Sequence, residues 1–369
     1  MGEATAVRKP GSTSPERRIP SLDGLRAVAV VFTVCAHIAK TPGCTWGHYF
    51  VRYGDIGNLG VRIFFVLSGF LITSLLLGEQ EKTGGISLGG FYLRRLFRIF
   101  PAAYAYIGAM LILNAAGVIA LRKWDALSGA LFVSNMRDPL FPFMGHLWSL
   151  SVEEQFYLLW PTTLVFFGRK GAVTAGVAML FLAPIFRLVC NGSAYLRPYT
   201  NLSFPTVADA LMTGCLLALL RTRLDRSARY LAWLRSPLFA IVPLAAAVVY
   251  VYGIDRAPFG VALGPTVLNA AIALSMDRLI RWPEKAAARI LNLLPVRVVG
   301  QLSYSLYLWQ DPFLNPHSGP VWFAAYPQNL ILAVLCAVAS YLLIERPFLR
   351  LRARLTEHLV ARRRRSALA

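Results

Sequence analysis

The sequence predicts an all-α protein: a polytopic membrane helical bundle of about ten transmembrane helices, with one short re-entrant or lateral segment and both termini cytosolic. Three observations predict it. Of 369 residues, 56% are hydrophobic and only 15% charged, against roughly 25% charge in a soluble domain. Mean hydropathy is +0.54. The charge is also strongly lopsided, 38 Lys and Arg against 18 Asp and Glu for a net +20, and the positive residues gather in short loops and tails between apolar runs. In a soluble chain that surplus would point to nucleic acid. Here its placement sets topology, so no nucleic-acid partner is expected and membrane lipids are.

Residues 1–19 carry Pro, Gly, Ser and charge but no apolar core of a leader peptide, and read as a disordered cytosolic tail. A span needs about 20 apolar residues, and ten runs qualify, at about 22–41, 56–78, 99–119, 147–168, 172–190, 204–221, 237–253, 259–280, 298–315 and 325–344. The run "ALSGALFVSN" at 126–135 is too short to cross. Charge decides its status. The loop 221–235 holds five Arg against one Asp, the stretch 346–365 holds eight Arg, and "FYLRRLFRIFP" holds three, and all three belong in the cytosol only if 126–135 does not span. It is therefore expected on the outer side, packed against protein, because lipid does not tolerate broken backbone. The transmembrane domain is expected over 20–350, followed by a basic cytosolic tail over 351–369. Five cysteines show no CxxC spacing and no Cys/His cluster, so no metal is expected; a pairing of Cys44 with Cys190 is left open.

Four polar stretches interrupt the apolar runs. In "SLDGLRAVAVVFTVCAHIAK", Arg26 and His37 are eleven residues apart, so both project from one helix face about 16 Å apart along the axis. Each ionisable group in hydrocarbon costs a few kcal/mol, although Arg26 could snorkel and a buried His is often structural. In "FYLRRLFRIFP", Arg94, Arg95 and Arg98 cluster at the membrane edge, with Arg95 and Arg98 on one face; guanidinium forks suit phosphate, and anchoring is the ordinary alternative. "GHLWSLSVEEQFYLLWP" brings His146 and Glu153 nearly onto one face and carries Gln155 and Tyr157 into the span. "GQLSYSLYLWQDPF" does the same with Ser303, Tyr304, Ser305, Tyr307 and Gln310.

Together with "GVRIFFVLSGFLIT", "ADALMTGCLLALL" and "IERPF", these stretches appear in an order that resembles acyltransferase family 3, multi-pass membrane O-acyltransferases that decorate surface polysaccharides and some antibiotics. The resemblance covers about residues 20–350. It implies an acyl-CoA donor, acetyl-CoA first, entering from the cytosol, and a carbohydrate or other hydroxyl acceptor. It departs in two places: Val207 stands where members often have Arg, and Gln310 where many have His. Neither departure is expected to touch Arg26 or His37. The sequence ends soon after the tenth run without an esterase-like domain, so acylation is expected at the bundle itself.

On this reading the catalytic residues are His37, Arg26 and Glu153. A neutral His37 is the general base, Arg26 lies between phosphates and thioester, and Glu153 orients or faces the acceptor near the outer mouth. Arg94, Arg95, Arg98 and Arg26 hold the donor, while Glu153, His146, Tyr304, Gln310 and Asp209 bind the acceptor. Ser68 is expected to close a helix contact beside Gly69 rather than act as nucleophile, because no G-x-S-x-G elbow is present. An acyl-His37 intermediate and a small-molecule acceptor such as a macrolide stay open. A proton-coupled transporter would use similar buried groups, but no pair of broken half-helices marks inverted repeats.

Overall fold

The computed structural model describes residues 19–47, 56–137, 142–252, 258–315 and 324–355; the expected N-terminal tail up to residue 18 and the C-terminal stretch from 356 lie outside them. Among the described residues there is no strand. Helix α1, Pro20–Ile38, starts on a proline suited to the first helical position and carries Asp23 in its positive first turn. Next come α2, Ile56–Thr83, and α3, Leu88–Ala115, whose Ser87 cap accepts from the Gly90 amide at 3.3 Å. A short α4, Asp125–Ala130, leads to the long α5, Leu147–Gly192, and then to α6, Phe204–Asp225. The chain continues through α7, Ala228–Arg235, α8, Ile241–Tyr252, and α9, Pro258–Arg281. It closes with α10, Ala286–Leu291, α11, Leu294–Leu314, and α12, Gln328–Ser340, the last running on through a π turn, Tyr341–Glu345, and helical backbone to residue 355.

Every one of the ten apolar runs falls on helix. Judged by length and composition, however, seven described helices could cross a membrane, or eight if Ala228–Arg235 and Pro237–Tyr250, bent by 68°, form one broken span. Two physical features separate this count from ten. The 46 residues of α5 would run about 69 Å if straight, more than twice a bilayer core, but Gly168 at φ 62° and ψ −171° divides them into two helices. Helix α11 does not pass, because Arg297, Gln301, Gln310 and Asp311 dilute its apolar character. The short run 126–135 folds as α4 and a 3-10 turn, Ser134–Met136. It is tied to α5 through Gln155, whose Nε2 donates to Asn135 Oδ1 at 2.9 Å and to the Phe132 carbonyl at 3.2 Å. Gln155 thus has a structural partner.

Small residues bring the central helices to backbone contact. A Cβ at Gly69 of α2 would strike the Leu211 carbonyl of α6, and one at Gly214 of α6 would strike the Val66 carbonyl of α2. Helix α1 is clasped in the same way, with Gly60 of α2 against the Ala29 carbonyl and Gly300 of α11 against that of Asp23. Large side chains such as Phe65, Phe156 and Trp160 fill the interior, whereas Phe166, Phe167 and Leu343 face outward, the inverse of a water-soluble surface. The helix carrying Arg26 and His37 is therefore held at the centre.

Candidate active site

A cavity of about 100 Å³ opens where α1, α2, α3, α5 and α11 meet, space for several water-sized groups. Its polar wall comes from Arg26 of α1, Ser68 of α2, Arg95 and Arg98 of α3, Glu153 and Tyr157 of α5, and Tyr304 and Tyr307 of α11; Phe64, Phe65 and Leu150 line the rest. Arg26 keeps one distant ion pair, to Asp23 at 3.4 Å, with its side chain 23% exposed. Glu153 accepts from Ser68 Oγ at 2.6 Å and from the Tyr157 hydroxyl at 3.2 Å. The Arg95 guanidinium lies over the Phe91 and Tyr157 rings, 5.6 and 5.7 Å from their centroids, which steers it without neutralising it. Tyr304 donates to the Ile99 carbonyl at 2.7 Å, pinning α11 to α3. Three guanidiniums around one partly apolar cavity make a site for an anionic group carried on an apolar or amide chain.

His37 does not line this cavity. Its Nδ1 meets Gln310 Oε1 at 2.5 Å, and Gln310 is fully buried. An amide oxygen at Nδ1 calls for the N–H there, so in the neutral ring the lone pair that could accept a proton is on Nε2. Beside this pair, His146 Nδ1 stands 3.4 Å from Asp311 Oδ2, both buried. The cavity ends at Ser149 and Tyr307, whose hydroxyls bond one another; the Tyr307 hydroxyl also donates to the His146 carbonyl at 2.9 Å. Two polar groups thus lie in series along α1: a basic cavity at Arg26, and an imidazole cluster about three turns farther on.

Several expectations need correcting. Gln310 does touch His37, because α11 packs along the whole of α1. His146 and Glu153 do not face a common space: Glu153 lies in the basic cavity beside the arginines, and His146 turns to Asp311. Ser68 does close a helix contact, donating to Glu153 of α5 at 2.6 Å beside the close approach of Gly69 to α6. Arg94 is held by Glu79 at 2.7 Å, away from Arg95 and Arg98. Asp209 cannot meet an acceptor, since it is fully buried against Arg187 at 3.0 Å. The pairing of Cys44 with Cys190, left open by the sequence, is not made: both are free thiols. Sequence reasoning passed over Arg187 and Asp311. Arg187 had a signal, a lone arginine within an apolar run; Asp311 had only its place after Gln310.

A family model described as an acyltransferase domain matches residues 19–345. The O-acetyltransferase OatA of Staphylococcus aureus (strain NCTC 8325 / PS 47) is 29% identical over 363 residues, covering 90% of this chain and 57% of that protein. The peptidoglycan O-acetyltransferase OatA of Listeria monocytogenes is 29% identical over 366 residues, covering 89% of this chain and 54% of that one. The chain thus spans a little over half the length of these curated relatives. No solved structure matches it. With the family model spanning nearly all the described helices and every polar stretch of the site, the chain belongs to the acyltransferase family 3 that its motifs resemble.

Proposed function

We propose that the protein is a membrane-bound O-acyltransferase that moves an acyl group, acetyl first, from cytosolic acyl-CoA to a hydroxyl of an extracytoplasmic or lipid-linked carbohydrate. The observation that carries this reading is the convergence of Arg26, Arg95 and Arg98 on one cavity of the helix bundle, on the helix that bears His37. Family membership supports acyl transfer. The names of the relatives, an O-acetyltransferase and a peptidoglycan O-acetyltransferase, support acetyl as the group and a cell-envelope glycan as its acceptor. The membrane arrangement that goes with it has ten spans over residues 20–350 and both ends in the cytosol, in a bacterial inner membrane.

In this mechanism Arg95 and Arg98 grip the donor's phosphates, with Arg26 at the root of its extended arm. To reach His37 the arm must cover roughly 16 Å along the α1 face, which requires the hydrogen-bonded Ser149 and Tyr307 at the end of the cavity to part. There the thioester carbon meets the acceptor hydroxyl. His37, with Nδ1–H committed to Gln310, takes the hydroxyl proton at Nε2 as the C–O bond forms. Glu153, held by Ser68 and Tyr157 inside the basic cavity, keeps the three cations in place between turnovers. No covalent enzyme intermediate is required.

The test is purified protein in detergent with acetyl-CoA and peptidoglycan fragments, following release of the CoA thiol. His37→Ala abolishes release, a loss of about a hundredfold or more, while acetyl-CoA affinity stays near the parental value. Turnover of His37→Ala at the parental rate would refute the base assignment.

A further inference from the structure

We propose that Asp311 is a positioning residue for this transfer: it is the carboxylate that braces His146 and offsets the charge His37 gains during turnover. The inference rests on His37 being the general base.

Gln310 and Asp311 are consecutive residues near the end of α11. The step of about 100° between consecutive helical residues places the first on His37 of α1 and the second on His146 of α5. Gln310 secures the orientation of the His37 ring, but an amide is neutral and cannot offset an imidazolium. Asp311 can. It is 3% exposed; its Oδ1 accepts only a long bond from Asn315 Nδ2 at 3.4 Å, and among the described residues its Oδ2 has only the 3.4 Å approach of His146 Nδ1. Neither ring nitrogen of His146 has a hydrogen-bond partner among the described residues. A buried carboxylate left this loosely satisfied is expensive unless a cation forms nearby.

Among the described residues, the titratable groups that face Asp311 are His37 of α1, Tyr106 of α3, His146 of α5 and Tyr307 of α11. Both phenols are committed elsewhere, Tyr106 donating to the Phe143 carbonyl and Tyr307 to that of His146. The two imidazoles remain. During transfer the acceptor O–H bond breaks as its oxygen bonds the acyl carbon, and the proton goes to His37 Nε2. The C–S bond then breaks and the departing CoA thiolate takes that proton. Asp311 gains and loses no proton; it steadies the charge held briefly on His37.

The experiment compares the parental protein with Asp311→Asn, Asp311→Glu, Asp311→Gln and His37→Ala, measuring kcat for thiol release from acetyl-CoA with peptidoglycan fragments as a function of pH. Removing one nearby opposite charge moves such a limb by about one pH unit or more, so the acid limb of kcat for Asp311→Asn falls to lower pH by about one unit and its plateau drops about tenfold. KM for acetyl-CoA, set in the basic cavity, is unchanged. Asp311→Glu keeps the parental limb. If Asp311→Asn does not fold, the Glu and Gln variants give the same charge comparison at equal volume. An acid limb that stays at the parental position in the neutral variants, with His37→Ala inactive, overturns the role of Asp311 and leaves the base standing. Parental turnover by His37→Ala would instead remove the base itself.

Discussion

Arg187 and Arg26 are both arginines within the helix bundle, the first fully buried and the second partly exposed, and they are treated in opposite ways. Arg187 is sealed. Its Nε donates to the Ala262 carbonyl at 3.0 Å, Nη1 to the Thr206 carbonyl at 2.8 Å, and Nη2 to Thr266 at 2.6 Å and Asp209 at 3.0 Å. Thr266 in turn donates to Asp209 at 2.6 Å, so α5, α6 and α9 are locked around one cation with no exposed surface. Among the described residues Arg26 has a single side-chain partner, at 3.4 Å, and looks into a cavity. Only one of the two sites leaves donors unspent. Full burial with the donors satisfied marks a structural cation; partial exposure with donors left over marks one held for a ligand.

One substitution made at both positions tests that distinction. Arg187→Met leaves Asp209 charged and unpaired, and should cost about 3–5 kcal/mol of stability, read as a lowered unfolding midpoint in detergent. Replacing both partners, Arg187→Met with Asp209→Leu, should recover most of that loss, since a packed apolar pair of similar volume is often as stable as a buried ion pair. Arg26→Met should cost the fold about 1 kcal/mol or less while reducing acetyl transfer strongly. If Arg26→Met unfolds the protein as Arg187→Met does, the contrast fails.

A smaller effect is expected at the cavity rim. Arg95→Ala and Arg98→Ala each remove a charge-assisted contact to phosphate, worth about 1.5–3 kcal/mol, so acetyl-CoA affinity should fall roughly 10- to 150-fold with the melting temperature little changed. Equilibrium binding of acetyl-CoA checks this. Unaltered affinity in both variants would place the phosphates elsewhere.

The sequence made some of this contrast legible and hid the rest. Apolar runs of span length fell on helix because hydropathy is a local property. The face shared by Arg95 and Arg98 was equally local, a matter of helical spacing, and both reach the cavity. Contacts between distant segments were not readable. His37 and Gln310 are 273 positions apart, and Ser68 and Glu153 are 85 apart; each pair meets only because particular helices pack. Asp209 looked available for the same reason, its partner lying in another helix. The division of α5 at Gly168 was visible as two runs, since a straight helix of that length could not stay in the membrane.

Arg94 gives the finest test, because it adjoins Arg95 and shares its charge. The two diverge by one residue's rotation about α3: Arg95 turns inward over Tyr157, and Arg94 turns toward Glu79, on the segment of α2 that leads into the loop. That pair is partly exposed, with side chains 33% and 19% accessible, so water competes for both ions. Arg94→Ala should therefore cost about 0.2–1 kcal/mol of stability and change acetyl-CoA affinity less than twofold. If instead Arg94→Ala weakens binding as much as Arg95→Ala, the cluster works as one diffuse field of positive charge, and the side-chain directions that set the cavity apart from the rim carry no meaning for the donor.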